Sequence, residues 1–197
     1  MKLLAVLGGL AVVLAAALGL LLTRGGNAAD FRGSRPPDGI SLPSFQLRDQ
    51  DGRTVSSEDL HGKAVAVTFL DARCTEACPI IAAQIGQALR TLGDNRVEAI
   101  AITVDPVGDT PQRIDTFLRR YRAQQQLRYL DGSLTELRPV WKAFLVLPAA
   151  DSGSPNIHSA PVRIYDTKGR WRSTLNTGAD LTTANLAHDL REAAGAS

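Results

Sequence analysis

The chain has 197 residues, enough for one globular domain plus an appendage. With 44% hydrophobic and 21% charged residues it is not a disordered segment, and two cysteines are too few for a disulfide-stapled scaffold. A net charge of +2 gives no electrostatic case for nucleic acid, and the single methionine, Met1, excludes a methionine-rich metal site.

Leu3 to Leu22 contains no charged residue. Twenty such residues span a hydrocarbon core of ~30 Å as a helix. The run is longer than the ~7–15 apolar residues of a secretory signal. Only Asn27-Ala28-Ala29 offers a weak cleavage site, so an uncleaved single transmembrane anchor is expected over residues 1–24 in preference to a cleaved signal sequence. Residues 25–42 are rich in Gly, Arg, Pro and Ser and carry no apolar period. They read as a flexible linker. The globular domain is expected over 43–197.

Within that domain, Phe45 to Arg48 alternates like a strand, and Asp49-Gln50-Asp51-Gly52 turns it back through Arg53-Thr54-Val55 as an N-terminal hairpin. Ala64 to Leu70 is nearly continuous in apolar residues, the mark of a central strand covered on both faces. The spacing of Ile80, Ile81, Ile85, Ala88, Leu89 and Leu92 predicts a helix, stopped at Gly93. Val97 to Val104 is a second central strand. Asp105 to Pro111 is a loop that runs into a helix capped by Asp109 or Thr110 and opened by Pro111. Leu127 to Leu130 is a short strand, and a helix follows Asp131-Gly132-Ser133. Leu147 to Ile157 reads as a loop. Ser159 to Tyr165 and Arg170 to Leu175 form a hairpin about Asp166-Thr167-Lys168-Gly169, and a last helix runs from about Leu181 to Ala194. Parallel crossovers followed by a closing antiparallel hairpin predict a three-layer α/β sandwich of thioredoxin-like type.

The only two cysteines, Cys74 and Cys78, stand between the first central strand and its helix. Thiols so placed serve redox exchange or soft-metal binding. Pro79 suits the first helical position, which puts Cys78 near the N-cap, where unpaired N–H groups and the helix dipole favour thiolate. Of the three histidines, His61 and His188 fall on polar surfaces. His158 lies just ahead of the strand that borders the dithiol loop in a thioredoxin-like sheet. Two thiolates and one imidazole make a three-donor set suited to Cu(I). Structural zinc wants a fourth protein ligand, and none is visible. The alternative for His158 is a loop histidine with no ligand role.

These features together resemble the Sco/SenC family of copper-binding, thioredoxin-like proteins. The resemblance rests on Cys74-x-x-x-Cys78-Pro79 after a strand, Val104-Asp105-Pro106 with Asp109-Thr110-Pro111, Asp131-Gly132-Ser133, and His158-Ser159 ahead of Ile164-Tyr165-Asp166-Thr167-Lys168-Gly169-Arg170. It covers about Pro43 to the C-terminus. It implies a membrane-tethered, extracytoplasmic copper metallochaperone that serves the dinuclear copper site of cytochrome c oxidase. It also implies Cys74, Cys78 and His158 as ligands of Cu(I), with mixed N/S ligation also able to hold Cu(II). Asp105 and Asp109 would support the site or face a partner, or alternatively cap and turn the loop. The family commonly has a proline after the first cysteine, where this chain has Thr75. It usually has an aspartate close before the histidine, where this chain reads Asn156-Ile157. Two other readings stand beside the chaperone: a thiol–disulfide oxidoreductase in which Cys74 and Cys78 are the redox pair and His158 is dispensable, and an interaction domain with one inert disulfide.

Overall fold

A computed structural model describes residues 30–195. One seven-stranded sheet runs in the order β2-β1-β5-β4-β3-β6-β7. The strands are β1 (Gln46–Asp49), β2 (Thr54–Ser56), β3 (Ala64–Leu70), β4 (Val97–Thr103), β5 (Arg128–Asp131), β6 (Val162–Tyr165) and β7 (Trp171–Leu175). β3, β4 and β5 are parallel. The β1–β2 hairpin adds antiparallel to β5, and the β6–β7 hairpin adds antiparallel to β3.

The helices are α1 (Ala77–Leu92), α2 (Pro111–Arg120), α3 (Leu134–Ala143), α4 (Ala149–Ser152) and α5 (Thr183–Gly195). α1, α2 and α5 pack on one face, against Ala64, Ala66 and Leu70 of β3. α3 and α4 pack on the other, against Val65, Val67 and Phe69. Every residue of β3 is therefore buried, which is why its sequence does not alternate. The three layers are those the element order predicts. α1 stops where Gly93 takes φ +57° and its N–H bonds the Leu89 carbonyl, a left-handed stop that glycine adopts at no steric cost. α2 is capped by the Thr110 hydroxyl, which accepts from the Arg113 N–H, with Pro111 in the first turn. In α3 the Ser133 and Glu136 side chains cap each other's backbone N–H.

Two local expectations change. α4 is a helical turn inside the stretch read as a loop. Residues 31–42, expected to be part of a free linker, are instead bonded to the domain. Ser34 and Thr174 exchange backbone hydrogen bonds of 2.8 and 2.9 Å, the Leu42 N–H reaches the Gly169 carbonyl at 2.7 Å, and the Trp171 N–H reaches Ile40 at 2.9 Å. The buried Asp189 carboxylate accepts the N–H groups of Arg32 and Gly33 and the Ser173 hydroxyl. Residue 33 must be glycine, because a Cβ there would run into the Ser173 hydroxyl and the Thr174 carbonyl. The strap thus protects β7, an edge strand, by occupying part of its open backbone. Among the described residues no helix is long and apolar enough to cross a membrane. The expected anchor over 1–24 lies outside the described residues.

Candidate metal centre

The first parallel strand, β3, ends at Leu70, and its loop Asp71–Glu76 carries Cys74 at the head of α1. Both cysteines are unpaired thiols, with Cys78 at 0% exposure and Cys74 at 5%. The helix begins at Ala77, two residues before Pro79, so Pro79 is the third helical residue and Cys78 the second. The first four N–H groups of a helix have no intrahelical acceptor, so proline is tolerated across that whole turn and does not fix the start.

The sequence places the helix-terminal N–H groups beside Cys78, whereas in the structure Cys74 is the sulfur that receives the hydrogen bonds. The Cys74 thiol is pushed well down, first because the Cys78 thiol hydrogen-bonds to its sulfur, then because His158 and the N–H groups of Cys78 and Glu76 do the same. Cys78 is pushed up, since it donates to that thiolate and is buried beneath it. The helix N-terminus therefore serves Cys74, and the first proton leaves Cys74, not Cys78.

His158 sits in the loop that leads from α4 to β6. Ser159 anchors that loop: its N–H bonds the Leu147 carbonyl at 2.9 Å and its hydroxyl accepts the Leu147 N–H at 3.0 Å. The ring Nδ1 lies 3.2 Å from the Ser159 carbonyl, an acceptor that requires Nδ1 to carry a proton. Nε2 is thereby turned to the thiols, 3.3 Å from Cys78 Sγ. Burial lowers the imidazole pKa, but the Cys74 thiolate and the Ser159 carbonyl outweigh it and the net direction is up. The two sulfurs and the imidazole nitrogen all lie within 4.8 Å of one another, the one such group of three among the described residues. Three donors around one soft ion with bonds of ~2.0–2.3 Å stand about 4 Å apart, so the group closes on an ion with shifts of under about 1 Å. The donor set fits a soft monovalent ion.

Asp105 and Asp109 turn inward. Asp105 accepts the N–H groups of Val107 and Gly108 at 3.2 and 3.0 Å and pairs with Arg73, which also holds Asp71 at 3.2 Å. Gly108 makes this possible, because a Cβ there would collide with both the Arg73 guanidinium and the Asp105 carboxylate. Asp109 is 1% exposed. Its carboxylate accepts the Ala72 N–H at 2.8 Å, the Thr103 hydroxyl at 2.7 Å and the Tyr129 hydroxyl at 2.6 Å. It ties the dithiol loop to β4 and β5. Neither carboxylate is offered open to solvent, and Arg73 is spent on Asp71 and Asp105 rather than on a sulfur.

Sequence reasoning missed Asp71, Thr103 and Tyr129 in this bracket. Asp71 carried a readable sign, an acidic residue closing a wholly apolar strand. Thr103 and Tyr129 carried none. It also missed a link between Thr75 and Asn156, in which the Thr75 N–H donates to Asn156 Oδ1 at 3.0 Å and Asn156 Nδ2 donates to the Thr75 hydroxyl at 3.4 Å.

The profile of the SCO1/SenC family matches residues 35–195, the described domain almost end to end. The chain belongs to the SCO1/SenC family. An SCO2-like protein of Rickettsia prowazekii is 27% identical to this SCO1/SenC protein over 135 residues, which is 64% of this chain and 65% of that one. The match thus spans slightly less than two thirds of that relative. ScoI of Bradyrhizobium japonicum, solved with copper bound, is 31% identical, with a TM-score of 0.65 over 79% of this chain and 99% of ScoI. BsSco, a member of the Sco family of cytochrome c oxidase assembly proteins, superposes with a TM-score of 0.69 over 83% of this chain and 99% of its own; at 22% identity it speaks to the fold alone. The fold of this SCO1/SenC protein is α/β and thioredoxin-like.

Proposed function

We propose that this chain is a copper metallochaperone that carries Cu(I) on Cys74, Cys78 and His158 and passes it to a cuproprotein. The observation that carries the proposal is the convergence, from segments eighty residues apart, of two thiols and an imidazole within 4.8 Å. The bound copper of ScoI supports the choice of metal. Cys74 is the sulfur that its hydrogen-bond donors dispose to ionise first, and it offers the first bond. Cys78 yields its proton as it binds and the imidazole binds through Nε2, so uptake releases a proton and weakens as pH falls. Release proceeds by exchange of these donors for a partner's thiolates, one bond at a time. Membership of the family to which BsSco, a cytochrome c oxidase assembly protein, also belongs supports the dinuclear copper subunit of cytochrome c oxidase as the client. A relative from Bacillus anthracis named as a SCO1/SenC-family lipoprotein supports a membrane-anchored, extracytoplasmic domain. In the test, the reduced chain is titrated anaerobically with Cu(I) against a chromogenic chelator. One equivalent bound, lost in Cys74→Ser and Cys78→Ser, supports the proposal; no retention by the reduced wild type defeats it.

One observation favours a second reading, thiol–disulfide exchange: a thiolate at Cys74 with a more deeply buried thiol at Cys78 behind it. Cys74 would attack a client disulfide and expel one client thiolate. Cys78, losing its proton, would then attack the Cys74 sulfur and expel the second, leaving the chain oxidised and the client reduced. Disulfide reduction that survives His158→Ala selects this reading.

A further inference from the structure

We propose that Asn156 is a positioning residue for His158: by clasping Thr75 it pins the histidine loop onto the dithiol turn and so assembles the three-donor site before any metal arrives. This rests on the reading of His158 as a ligand.

The dithiol turn and the histidine loop are fixed independently. The turn is held from below by Asp71 and Asp109. The loop is held at its two ends, where the Gly153 N–H bonds the Ala149 carbonyl and Ser159 bonds Leu147 in both directions. Between those ends the chain from 154 to 158 makes a local turn, Ile157 N–H to Ser154 carbonyl at 3.2 Å. Its one large aliphatic residue, Ile157, is 59% exposed and does not anchor it in the core. The hydrogen bonds that join this stretch to the dithiol turn come from two residues, His158 through its ring and Asn156 through its amide.

The Asn156 amide is matched to its place. Its oxygen takes the Thr75 backbone N–H, and its NH2 group meets the Thr75 hydroxyl. Thr75 is the residue directly after the first cysteine. A proline at that position would have no N–H to give, so the clasp needs a residue other than proline at 75 and a short carboxamide or carboxylate at 156. His158 is two residues from the clasp, close enough that holding 156 restricts where the ring can travel. Without it the loop samples arrangements with the ring away from the sulfurs, and apparent affinity falls by the fraction that remains competent.

The test uses the full reduced chain with two readouts. The first is hydrogen exchange of the Thr75 amide in the metal-free protein. The second is Cu(I) affinity by chelator competition. Asn156→Ala should speed Thr75 exchange and weaken Cu(I) binding about tenfold, which corresponds to 1.4 kcal/mol. Thr75→Ala keeps the backbone donor and should cost less than about threefold. Asn156→Asp keeps the acceptor, can take the Thr75 hydroxyl as donor, and should restore binding to within about threefold. In a His158→Ala background, Asn156→Ala should weaken binding no further, since its effect passes through the ring. Thr75 exchange unaltered by Asn156→Ala overturns the clasp whatever the copper result. An equal loss with and without His158 also overturns it, as a structural effect only. If the wild type takes up no Cu(I), or His158→Ala binds as well as wild type, the ligand reading fails and the positioning role fails with it; a clasp confirmed by exchange is then structural only.

Discussion

Asp109 gives the sharpest energetic consequence of the architecture. Its carboxyl is buried in the bracket behind the dithiol loop, and burial pushes its pKa up to about 6 from 3.8 in spite of three hydrogen bonds. The native state therefore binds this proton more tightly than the unfolded chain does. Below pH 3.8 both states hold it and there is no penalty. As pH rises from 3.8 to about 6 the unfolded chain ionises first and native stability falls; above about 6 the loss is complete. A difference of about two pKa units corresponds to about 3 kcal/mol. Asn at 109 stays neutral, can accept the Ala72 N–H on its oxygen, and can donate to the Thr103 and Tyr129 oxygens. Asp109→Asn should therefore be about as stable as wild type near pH 4 and more stable by up to about 3 kcal/mol near pH 7. Urea unfolding of the reduced, metal-free chain at several pH values gives the difference directly. A difference that does not change between those pH values would refute the reasoning. Asp109→Ala is the opposite case. It strands the Ala72 N–H and two buried hydroxyls and should cost about 2–4 kcal/mol near pH 4; because the ionisation penalty leaves with the carboxyl, that cost should shrink by about 3 kcal/mol near pH 7.

Three further outcomes follow from other parts of the fold. Gly108→Ala forces a Cβ into the Arg73–Asp105 pair and should destabilise by about 1–3 kcal/mol in thermal or urea unfolding. Asp189→Ala removes the acceptor of two backbone N–H groups and a buried hydroxyl, so the 31–42 strap should detach from β7. Limited proteolysis should then cut at 31–42 before the domain, with a stability loss of about 2–3 kcal/mol. In ultraviolet thiolate titration of the reduced chain, the first thiolate should already be present at neutral pH and should disappear in Cys74→Ser; Cys78→Ala should move it upward in pH by removing its principal hydrogen-bond donor.

The main strands and helices were legible because burial leaves a mark on residue type. Ala64 to Leu70 is apolar throughout because both faces are covered, and Thr110-Pro111 announces a helix start by its capping chemistry. His158 was legible from chain order alone, since the strand that follows it must border the dithiol loop once the sheet is parallel at β3 and β4. The start of α1 was not, because proline satisfies several positions of a first helical turn equally well. The strap was hidden for a different reason. Its bonds to β7 run through backbone groups, which every residue carries, so Gly, Pro and Ser read the same whether bound or free. The interior bracket was hidden by distance: Asp109 meets Thr103 and Tyr129 only after the sheet has formed, and each of the three is unremarkable alone. The preference of the thiolate for Cys74 was not legible, because its largest cause is the hydrogen bond from the Cys78 thiol, which depends on how the turn folds.

The central claim is that one ion is held by donors from both the dithiol turn and the His158 loop. X-ray absorption on the Cu(I)-loaded full chain tests it most directly. The account predicts two sulfur neighbours and one nitrogen neighbour, with the nitrogen lost in His158→Ala. A first coordination sphere of sulfur alone in the wild type would contradict it.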